Sequence, residues 1–163
     1  AEQGPSTDIN NGVAVARWIH SALVDGQASA WLWWWYQSDY TDDNEGLILR
    51  SGSDTKRHYT LGNFSKFVRP GYVRVAVTGN SSSDLLLSAY KGTDGKEVVV
   101  AINQGTSSLT VPIAISGGTA PASVTPWVTS STDNLVSKTA ITVSGGSFTA
   151  TLPSMTVTTF VSN

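Results

Sequence analysis

Residues 28–40, ASAWLWWWYQSDY, hold four of the chain's six tryptophans within the five positions 31–35. This run is apolar on both faces and follows a helical segment, which favours a strand of a parallel sheet covered by helices. Because side chains alternate along a strand, each face carries its own set. One face holds Ala30, Leu32, Trp34 and Tyr36, and the other holds Trp31, Trp33 and Trp35.

Several indoles beside amides and carboxylates point to a carbohydrate site. A sugar offers apolar C–H faces to aromatic rings and a rim of hydroxyl groups to polar side chains, and an indole also has an N–H that needs a partner when buried. The alternative is a strand buried on both faces with unusually large residues. The run is too short to cross a bilayer, which needs about 20 apolar residues.

Composition narrows the class of protein. Charged residues make up 13% of the 163 residues and the net charge is −2, with no basic stripe, so nucleic acid is not an expected partner. The absence of cysteine rules out disulfides and thiolate metal sites. No segment has the pattern of a membrane span or a leader, and no membrane contact is expected. A low-charge chain rich in Ser, Thr, Gly and Val is typical of extracellular β-proteins, so we expect a secreted protein.

Two helices are predicted on either side of the tryptophan run. Residues 11–25 follow helical spacing, with Trp18 on the apolar side, with His20 on the polar side and with Gly26 as the left-handed residue that ends the helix. Residues 58–68 form the second helix, ended by the Arg69-Pro70-Gly71 break. Residues 37–57 between them form a polar loop, and loops of this length are commonly functional.

From residue 72 onward, alternating apolar residues replace the helical spacing. Strands are predicted over about 73–77, 85–90, 97–103, 109–115, 124–129, 136–143, 148–152 and 155–161. Turns are expected at residues 91–96 and at Gly145-Gly146. Short, closely spaced strands without helices between them predict an antiparallel β-sandwich. The chain therefore divides into residues 1–70, the end of an α/β unit, and residues 71–163, a β-sandwich.

Candidate catalytic groups are carboxylates, because glycoside cleavage uses two acids flanking the bond. The loop supplies Asp39, Asp42, Asp43 and Glu45. Such a cluster is more often a solvated loop than a catalytic site, and a calcium site lacks the EF-hand spacing. Glu2 is a lone carboxylate near the chain end, expected to be exposed.

Other chemistries find little support in the sequence. His20 and His58 are too few for a metal triad and are interpreted as structural, so no metal and no cofactor are expected. The sequence contains neither a Gly-x-Ser-x-Gly elbow nor a Gly-x-x-x-x-Gly-Lys loop, which leaves serine hydrolase and nucleotide-binding functions without a motif.

Five segments resemble glycoside hydrolase family 30, in particular its bacterial-type xylanases. They are NFSKFVRPGYVRV (63–75), LSAYKG (87–92), VVAIN (99–103), WVTSS (127–131) and LPSMTVTTFV (152–161). The family fold is a (β/α)₈ TIM barrel with a β-sandwich side domain. The resemblance implies that residues 1–70 hold helix 7, strand 8 and helix 8 of the barrel. It also implies a partner, the remaining barrel portion of the same enzyme.

The resemblance implies a retaining xylanase with two catalytic glutamates. The acid/base glutamate follows the fourth strand, outside this chain. Glu2 is the candidate nucleophile, although Ala1 stands where the family usually has Thr. Retaining chemistry needs the two carboxyl groups about 5 Å apart, so this chain alone is not expected to hydrolyse glycosides.

The substrate contacts implied by the resemblance follow the tryptophan run. Trp33-Trp34 matches the family's Trp pair, and Trp34 would stack on the sugar, with Tyr36, Gln37 and Tyr40 as further contacts. Ser38 occupies the position of the arginine that binds glucuronate in glucuronoxylan-specific members. Serine cannot replace two charge-assisted bonds to a carboxylate. The expected substrate is therefore xylan without strict dependence on glucuronate, or another β-linked glycan.

Two other roles remain open. The sandwich alone could be a carbohydrate-binding module that uses Tyr72, Tyr90 and Trp127, or a module that braces the barrel. Bracing is favoured, because alternation can bury several of those rings. The chain could also be a separate product that needs the rest of the barrel as its partner, since a half-barrel exposes apolar strand faces.

Overall fold

In the computed structural model of this chain, residues 6–37, 39, 45–79 and 82–163 are described. Two helices, α1 (Ile9–Val24) and α2 (Lys56–Ser65), come first. The strands of the described part are β1 (Val73–Val75), β2 (Leu85–Lys91), β3 (Glu97–Asn103), β4 (Leu109–Ala114), β5 (Ser123–Thr129), β6 (Val136–Ser137), β7 (Ile141–Thr142), β8 (Ser147–Leu152) and β9 (Thr156–Ser162). None of the helices in these ranges is both long and apolar enough to span a bilayer.

The strands form the antiparallel β-sandwich that the alternating pattern predicts. A seven-stranded sheet has the order β1-β2-β3-β9-β5-β6, and β7 also pairs with β5. The smaller sheet consists of β4 and β8. The hairpin across residues 91–96 is confirmed, with Leu85 opposite Asn103 and Lys91 opposite Glu97. Gly145 and Gly146, at φ 57° and 77°, form the predicted tight turn before β8.

One predicted strand was wrong in its extent. Residues 136–143 form two short strands, β6 and β7, which pair with opposite ends of β5. Pro126 lies between those two pairings. The amide of Lys138 bonds the Pro126 carbonyl at 2.8 Å, so the chain stays close to β5 without continuing the regular ladder.

The central strands of the large sheet are buried on both faces, whereas β1 and β6 are exposed. Val98, Val100 and Ile102 of β3 pack against the helices, in a cluster that includes Ile19 and Phe64. The other face packs against β4 and β8 through Leu85, Ala101, Val124, Phe148, Ala150, Leu152 and Phe160. The helices and the sandwich thus share a hydrophobic core, in three layers. Burying one such side chain contributes about 1.5–3 kcal/mol, so this shared face stabilises the junction strongly.

A buried polar contact sets the position of α2 on the sandwich. Asn63 is fully buried. Its Nδ2 donates to the Trp127 carbonyl and to the Thr159 hydroxyl, both at 3.0 Å. The Thr159 hydroxyl in turn donates to the Asn63 carbonyl at 2.7 Å. Because each buried polar group needs its partner, this network permits one orientation of α2 on β5 and β9.

The helix ends differ in detail from the prediction. Helix α1 begins after the N-cap Asp8 and ends at Val24, where Gln27 rather than Gly26 is the left-handed residue, at φ 50°. Gly26 packs closely on the end of the helix, since an added Cβ would lie 3.0 Å from the Ala22 carbonyl oxygen. His20 is buried and Trp18 is exposed, the reverse of the predicted faces.

The tryptophan run is not a strand, which corrects the prediction. Residues 31–36 have no strand partner within the described chain, and the first bridge is a parallel one between Gln37 and Ile48. A strand of a parallel sheet gains its hydrogen bonds from neighbouring strands, and the described residues offer no other parallel strand beside it.

Candidate functional site

The tryptophan run presents two different sides even without strand pairing. Leu32, Trp34 and Tyr36 are 89%, 77% and 65% exposed. Trp31 and Trp33 pack against the core shared by the helices and the sandwich, with their ring centroids 5.7 Å apart. The alternation predicted from the sequence therefore holds for these five side chains, and it separates an exposed face from a packed one.

Trp35 belongs to neither set fully. It is half-buried, and its ring centroid lies 5.3 Å from that of Trp34, with the planes tilted by 50°. The peptide bond between these two residues is cis. Trp34 therefore has one edge against a neighbouring indole, while most of its surface faces solvent.

The inner side of the run is fixed by Trp33 and Arg57. The Trp33 Nε1 donates to the Glu45 carbonyl at 2.8 Å. The fully buried Arg57 guanidinium lies 5.8 Å from the Trp33 ring centroid. Its Nε donates to the Gly46 carbonyl at 2.8 Å, and its Nη1 donates to Asn11 Oδ1 at 2.9 Å. This arginine ties the loop to helix α1 and to the tryptophan run.

Two backbone hydrogen bonds also join the loop to the tryptophan run. The Leu47 amide bonds the Trp35 carbonyl at 3.2 Å, and the Ile48 amide bonds the Tyr36 carbonyl at 2.9 Å. Arg57 falls in the predicted polar loop, and its role was not predicted. A signal was present, since a cation in the first turn of a helix opposes the helix dipole and needs a specific partner.

A polar cluster lies beside the exposed face, around His58. The His58 and Tyr36 rings meet edge to face, with centroids 6.4 Å apart and planes at 83°. His58 Nδ1 lies 2.8 Å from Asp54 Oδ1, and the Tyr59 hydroxyl donates to Asp54 Oδ2 at 2.6 Å. The Tyr59 bond, followed by that of His58, lowers the pKa of the Asp54 carboxyl. The same Asp54 bond raises the pKa of Tyr59.

The predicted site residues are only partly described. Trp34, Tyr36 and Gln37 are exposed together. Asp39 is exposed, and Glu45 is half-buried with its carbonyl bonded to Trp33. Glu2, Ser38, Tyr40, Asp42 and Asp43 lie outside the described residues. Among the residues that the structure describes, no group of three or more His, Asp or Glu is arranged to hold a metal ion.

The aromatic residues of the sandwich do not form a flat exposed platform. Tyr90 is 4% exposed. Trp127 is half-buried, with the Phe67 ring centroid 5.2 Å away and the Lys66 Nζ 3.9 Å from its own centroid. The Tyr72 hydroxyl bonds the Asp94 carboxylate at 2.9 Å. These three rings are therefore occupied by contacts within the chain.

A polar groove of about 350 Å³ lies between the starts of the two helices and residues 131–134. It is lined by Thr7, Asp8, Asp54, Thr55, Lys56, Tyr59, Ser131, Thr132 and Asn134. Asp8 and Thr55 already cap helix amides, and Lys56 Nζ bonds Asn134 Oδ1 at 2.7 Å. The exposed face with Trp34 and Tyr36 is therefore the better candidate for a ligand.

Comparison with known proteins places this geometry in a family. The model of the glycosyl hydrolase family 30 beta sandwich domain matches residues 71–160. A curated relative, glucuronoxylanase XynC of Bacillus subtilis (strain 168), is 41% identical over 165 residues, which cover 98% of this chain and 37% of the relative. The chain thus spans less than half the length of this relative.

Solved structures match the helices as well as the sandwich. A GH30 endoxylanase from Clostridium papyrosolvens C71 superposes with a TM-score of 0.85 at 38% identity, covering 99% of this chain and 39% of that chain. The GH30 subfamily 8 xylanase Xyn30A from Clostridium acetobutylicum gives a TM-score of 0.87 at 36% identity, covering 97% and 40%.

Proposed function

The chain belongs to glycoside hydrolase family 30, and on that premise we propose that it is the C-terminal part of a retaining endo-β-1,4-xylanase. The observation behind this proposal is the exposed face of the tryptophan run. Trp34 and Tyr36 are mostly exposed while Trp31 and Trp33 are packed inward. Exposed aromatic rings on a segment whose other side chains pack against the core suit the apolar face of a sugar.

We assign residues 1–70 to the end of the catalytic barrel and residues 71–163 to the side domain. In this arrangement the remaining barrel portion supplies the neighbouring strands of the tryptophan run and covers Leu32. The 89% exposure of Leu32 supports the proposal, because large apolar side chains at such exposure commonly mark an interface. The substrate partner is then a xylan-like polysaccharide, which is too large to enter a cell, so the enzyme is secreted.

The reaction is hydrolysis with retention of configuration, through two carboxyl groups on opposite sides of the glycosidic bond. The acid/base glutamate comes from the remaining barrel portion, and Glu2 is the nucleophile candidate of this chain. Apart from Glu2, the proposed site residues of this chain bind rather than react. Trp34 stacks on a sugar ring near the bond that is cleaved, and Gln37 and Tyr40 meet sugar hydroxyls. Stacking on Trp34 removes water from the two faces in contact and holds the sugar in one orientation for attack.

The preferred substrate is neutral xylan rather than a glucuronate-branched one. Ser38 stands at the arginine position of the glucuronoxylan-specific members. In addition, residues 37–55 contain one basic residue, Arg50, and the acidic residues Asp39, Asp42, Asp43, Glu45 and Asp54. A cluster of one sign repels a ligand of the same sign. Another neutral β-linked glycan is the alternative substrate.

The sandwich braces the barrel in this proposal and does not bind polysaccharide by itself. Support comes from the core that it shares with the helices and from the buried state of Tyr90. Affinity electrophoresis of the complete enzyme and of its Tyr72→Ala variant in soluble xylan tests this assignment. Equal retardation of both proteins is expected, and a loss of retardation in the variant would favour a binding module.

The experiment that tests the function is hydrolysis of linear xylooligosaccharides by the complete enzyme, followed by NMR. We expect β-configured products at early times, before mutarotation. The absence of hydrolysis contradicts the proposed substrate, and α-configured products contradict the retaining mechanism.

A further inference from the structure

We propose that His58 is a specificity-determining residue of the sugar site, whose Nε2 hydrogen-bonds a hydroxyl of the sugar unit beside the one stacked on Trp34. The inference rests on the proposed function, since it needs Trp34 as a sugar platform. It adds a polar contact at a position that the sequence analysis interpreted as structural.

His58 lies beside Tyr36, at the end of the exposed face of the tryptophan run. Tyr36 lies two residues after Trp34, and both side chains are on the exposed face of the run. The edge-to-face contact of Tyr36 with His58 extends that face from Trp34 toward the start of α2. The His58 side chain keeps 34% of its surface exposed there. A sugar chain lying on Trp34 and Tyr36 therefore meets the imidazole next.

Three contacts fix the orientation of the His58 imidazole. Asp54 Oδ1 accepts at Nδ1, at 2.8 Å. Tyr59 stacks on the ring, with centroids 5.4 Å apart and planes at 24°. The Tyr59 hydroxyl also holds the other Asp54 oxygen, so the carboxylate cannot rotate away. The ring is thus fixed by a hydrogen bond at one nitrogen, a stacked tyrosine on one face and Tyr36 beside it.

The second ring nitrogen of His58, Nε2, is the atom proposed to contact the sugar. Because a carboxylate oxygen accepts, Asp54 Oδ1 takes a hydrogen bond from Nδ1, and Nε2 has no part in that bond. Among the residues that the structure describes, none hydrogen-bonds Nε2. A fixed ring nitrogen beside aromatic faces matches a sugar, whose hydroxyl groups can donate and accept hydrogen bonds around its apolar faces. Preorganisation of this kind increases affinity, because little side-chain freedom is lost on binding.

Three variants of the complete enzyme separate a sugar contact from a structural role. His58→Asn keeps an N–H near the position of Nδ1, and so keeps the Asp54 bond, but it has no group at the position of Nε2. His58→Gln reaches the position of Nε2 and gives up the Asp54 bond. His58→Ala removes both. Steady-state kinetics on linear xylooligosaccharides gives KM and kcat, and thermal unfolding of each variant gives Tm.

We expect His58→Asn and His58→Ala to raise KM roughly threefold to tenfold, the loss expected for one hydrogen bond, with little change in kcat. His58→Gln should recover part of the KM. A wild-type KM in His58→Asn, with a lower Tm in His58→Ala and His58→Gln, would show a structural role and overturn the inference. An unchanged KM in all three variants overturns it as well.

The outcome for the wild-type enzyme distinguishes this inference from the proposed function. If the wild-type enzyme hydrolyses another neutral β-glycan but not xylan, the proposed substrate fails, and the same variants decide the role of His58 on that glycan. If it hydrolyses no glycan of a panel of xylan, β-glucan, mannan and galactan, both proposals are contradicted.

Discussion

The hydroxyl of Thr129 in β5 donates to Asn63 Oδ1 in α2 at 2.6 Å, and both residues are fully buried. This bond crosses from the helical layer to the sandwich, 66 positions apart in sequence. It belongs to the polar network that also includes Thr159 and the Trp127 carbonyl. The side domain is therefore attached to the helices by specific bonds as well as by apolar packing.

Replacing Asn63 by alanine should destabilise the protein by about 2–4 kcal/mol. The change leaves buried hydroxyls and a carbonyl without partners, and each such group costs about 1–3 kcal/mol. Urea unfolding followed by circular dichroism measures the difference. The matched control is Asn134→Ala, an exposed asparagine that bonds Lys56 at the same junction, with an expected loss within about 1 kcal/mol. Equal losses in the two variants would contradict the role of the buried network.

Arg57→Lys should loosen the segment of residues 45–48. A lysine cannot reproduce the planar fork that bonds Gly46 and Asn11 while lying over the Trp33 ring. We expect faster hydrogen exchange at the amides of Leu47 and Ile48, and a stability loss of about 2–4 kcal/mol from the buried groups left unpaired. Arg50→Lys, a change at an exposed arginine, serves as the control and should leave both measurements unchanged. Unaltered exchange in Arg57→Lys would show that Arg57 does not hold the loop.

Stability should fall as the pH drops below about 6.5 because of His20. Burial lowers the pKa of His20 from 6.5, with Arg74 acting in the same direction and Asp25 opposing it. The unfolded chain therefore binds a proton at a higher pH than the folded protein does. The stability contribution is complete above about 6.5 and decreases as the pH falls through the lowered folded-state pKa.

His20→Phe should flatten this dependence, because the variant has no proton to bind at that position. Unfolding free energies are measured between about pH 5 and 7, above the range in which most carboxyl groups titrate, and the difference between wild type and His20→Phe isolates His20 because both proteins contain His58. A slope in His20→Phe equal to that of the wild type would contradict the assignment to His20.

Tyr59→Phe should raise the pKa of Asp54 toward its ordinary value of 3.8, since the Tyr59 hydroxyl bond is the first cause of the lowering. In the reverse direction, Asp54→Asn should lower the pKa of Tyr59 toward 10.0. NMR titration of the Asp54 carboxyl carbon and absorbance titration of the phenol measure the two values. If neither pKa moves, the 2.6 Å bond between these side chains is not maintained in solution.

Local patterns predicted most of the fold because the relevant forces act locally. The strand pair β4–β8 shows clean alternation of burial, and a tight turn over residues 92–96 joins β2 to β3. The prediction of a strand over the tryptophan run was wrong because strand pairing depends on distant parts of the chain. A parallel strand exists only with neighbours, and the pairing of residues 31–36 does not depend on their own side chains.

The candidate site was predictable to the same degree. Alternation separated Trp34 and Tyr36 from Trp31 and Trp33, and the exposures agree. The cluster of Asp54, His58 and Tyr59 was not foreseen, although Asp54 and His58 have the i,i+4 spacing of side-chain partners on a helix. The contact of His58 with Tyr36 joins residues on opposite sides of the loop, and no local sequence pattern predicts it.

The most direct test of the account is kcat/KM on linear xylan for Trp34→Ala and Trp18→Ala in the complete enzyme. Trp18, 39% exposed on α1, is the matched control outside the proposed site. Loss of a stacking platform costs about 1–3 kcal/mol, by analogy with base–aromatic stacking, which corresponds to a roughly fivefold to 150-fold decrease for Trp34→Ala. Trp18→Ala should stay within about twofold of the wild type. An unchanged kcat/KM in Trp34→Ala, or an equal decrease in both variants, would contradict the assignment of Trp34 to the sugar site.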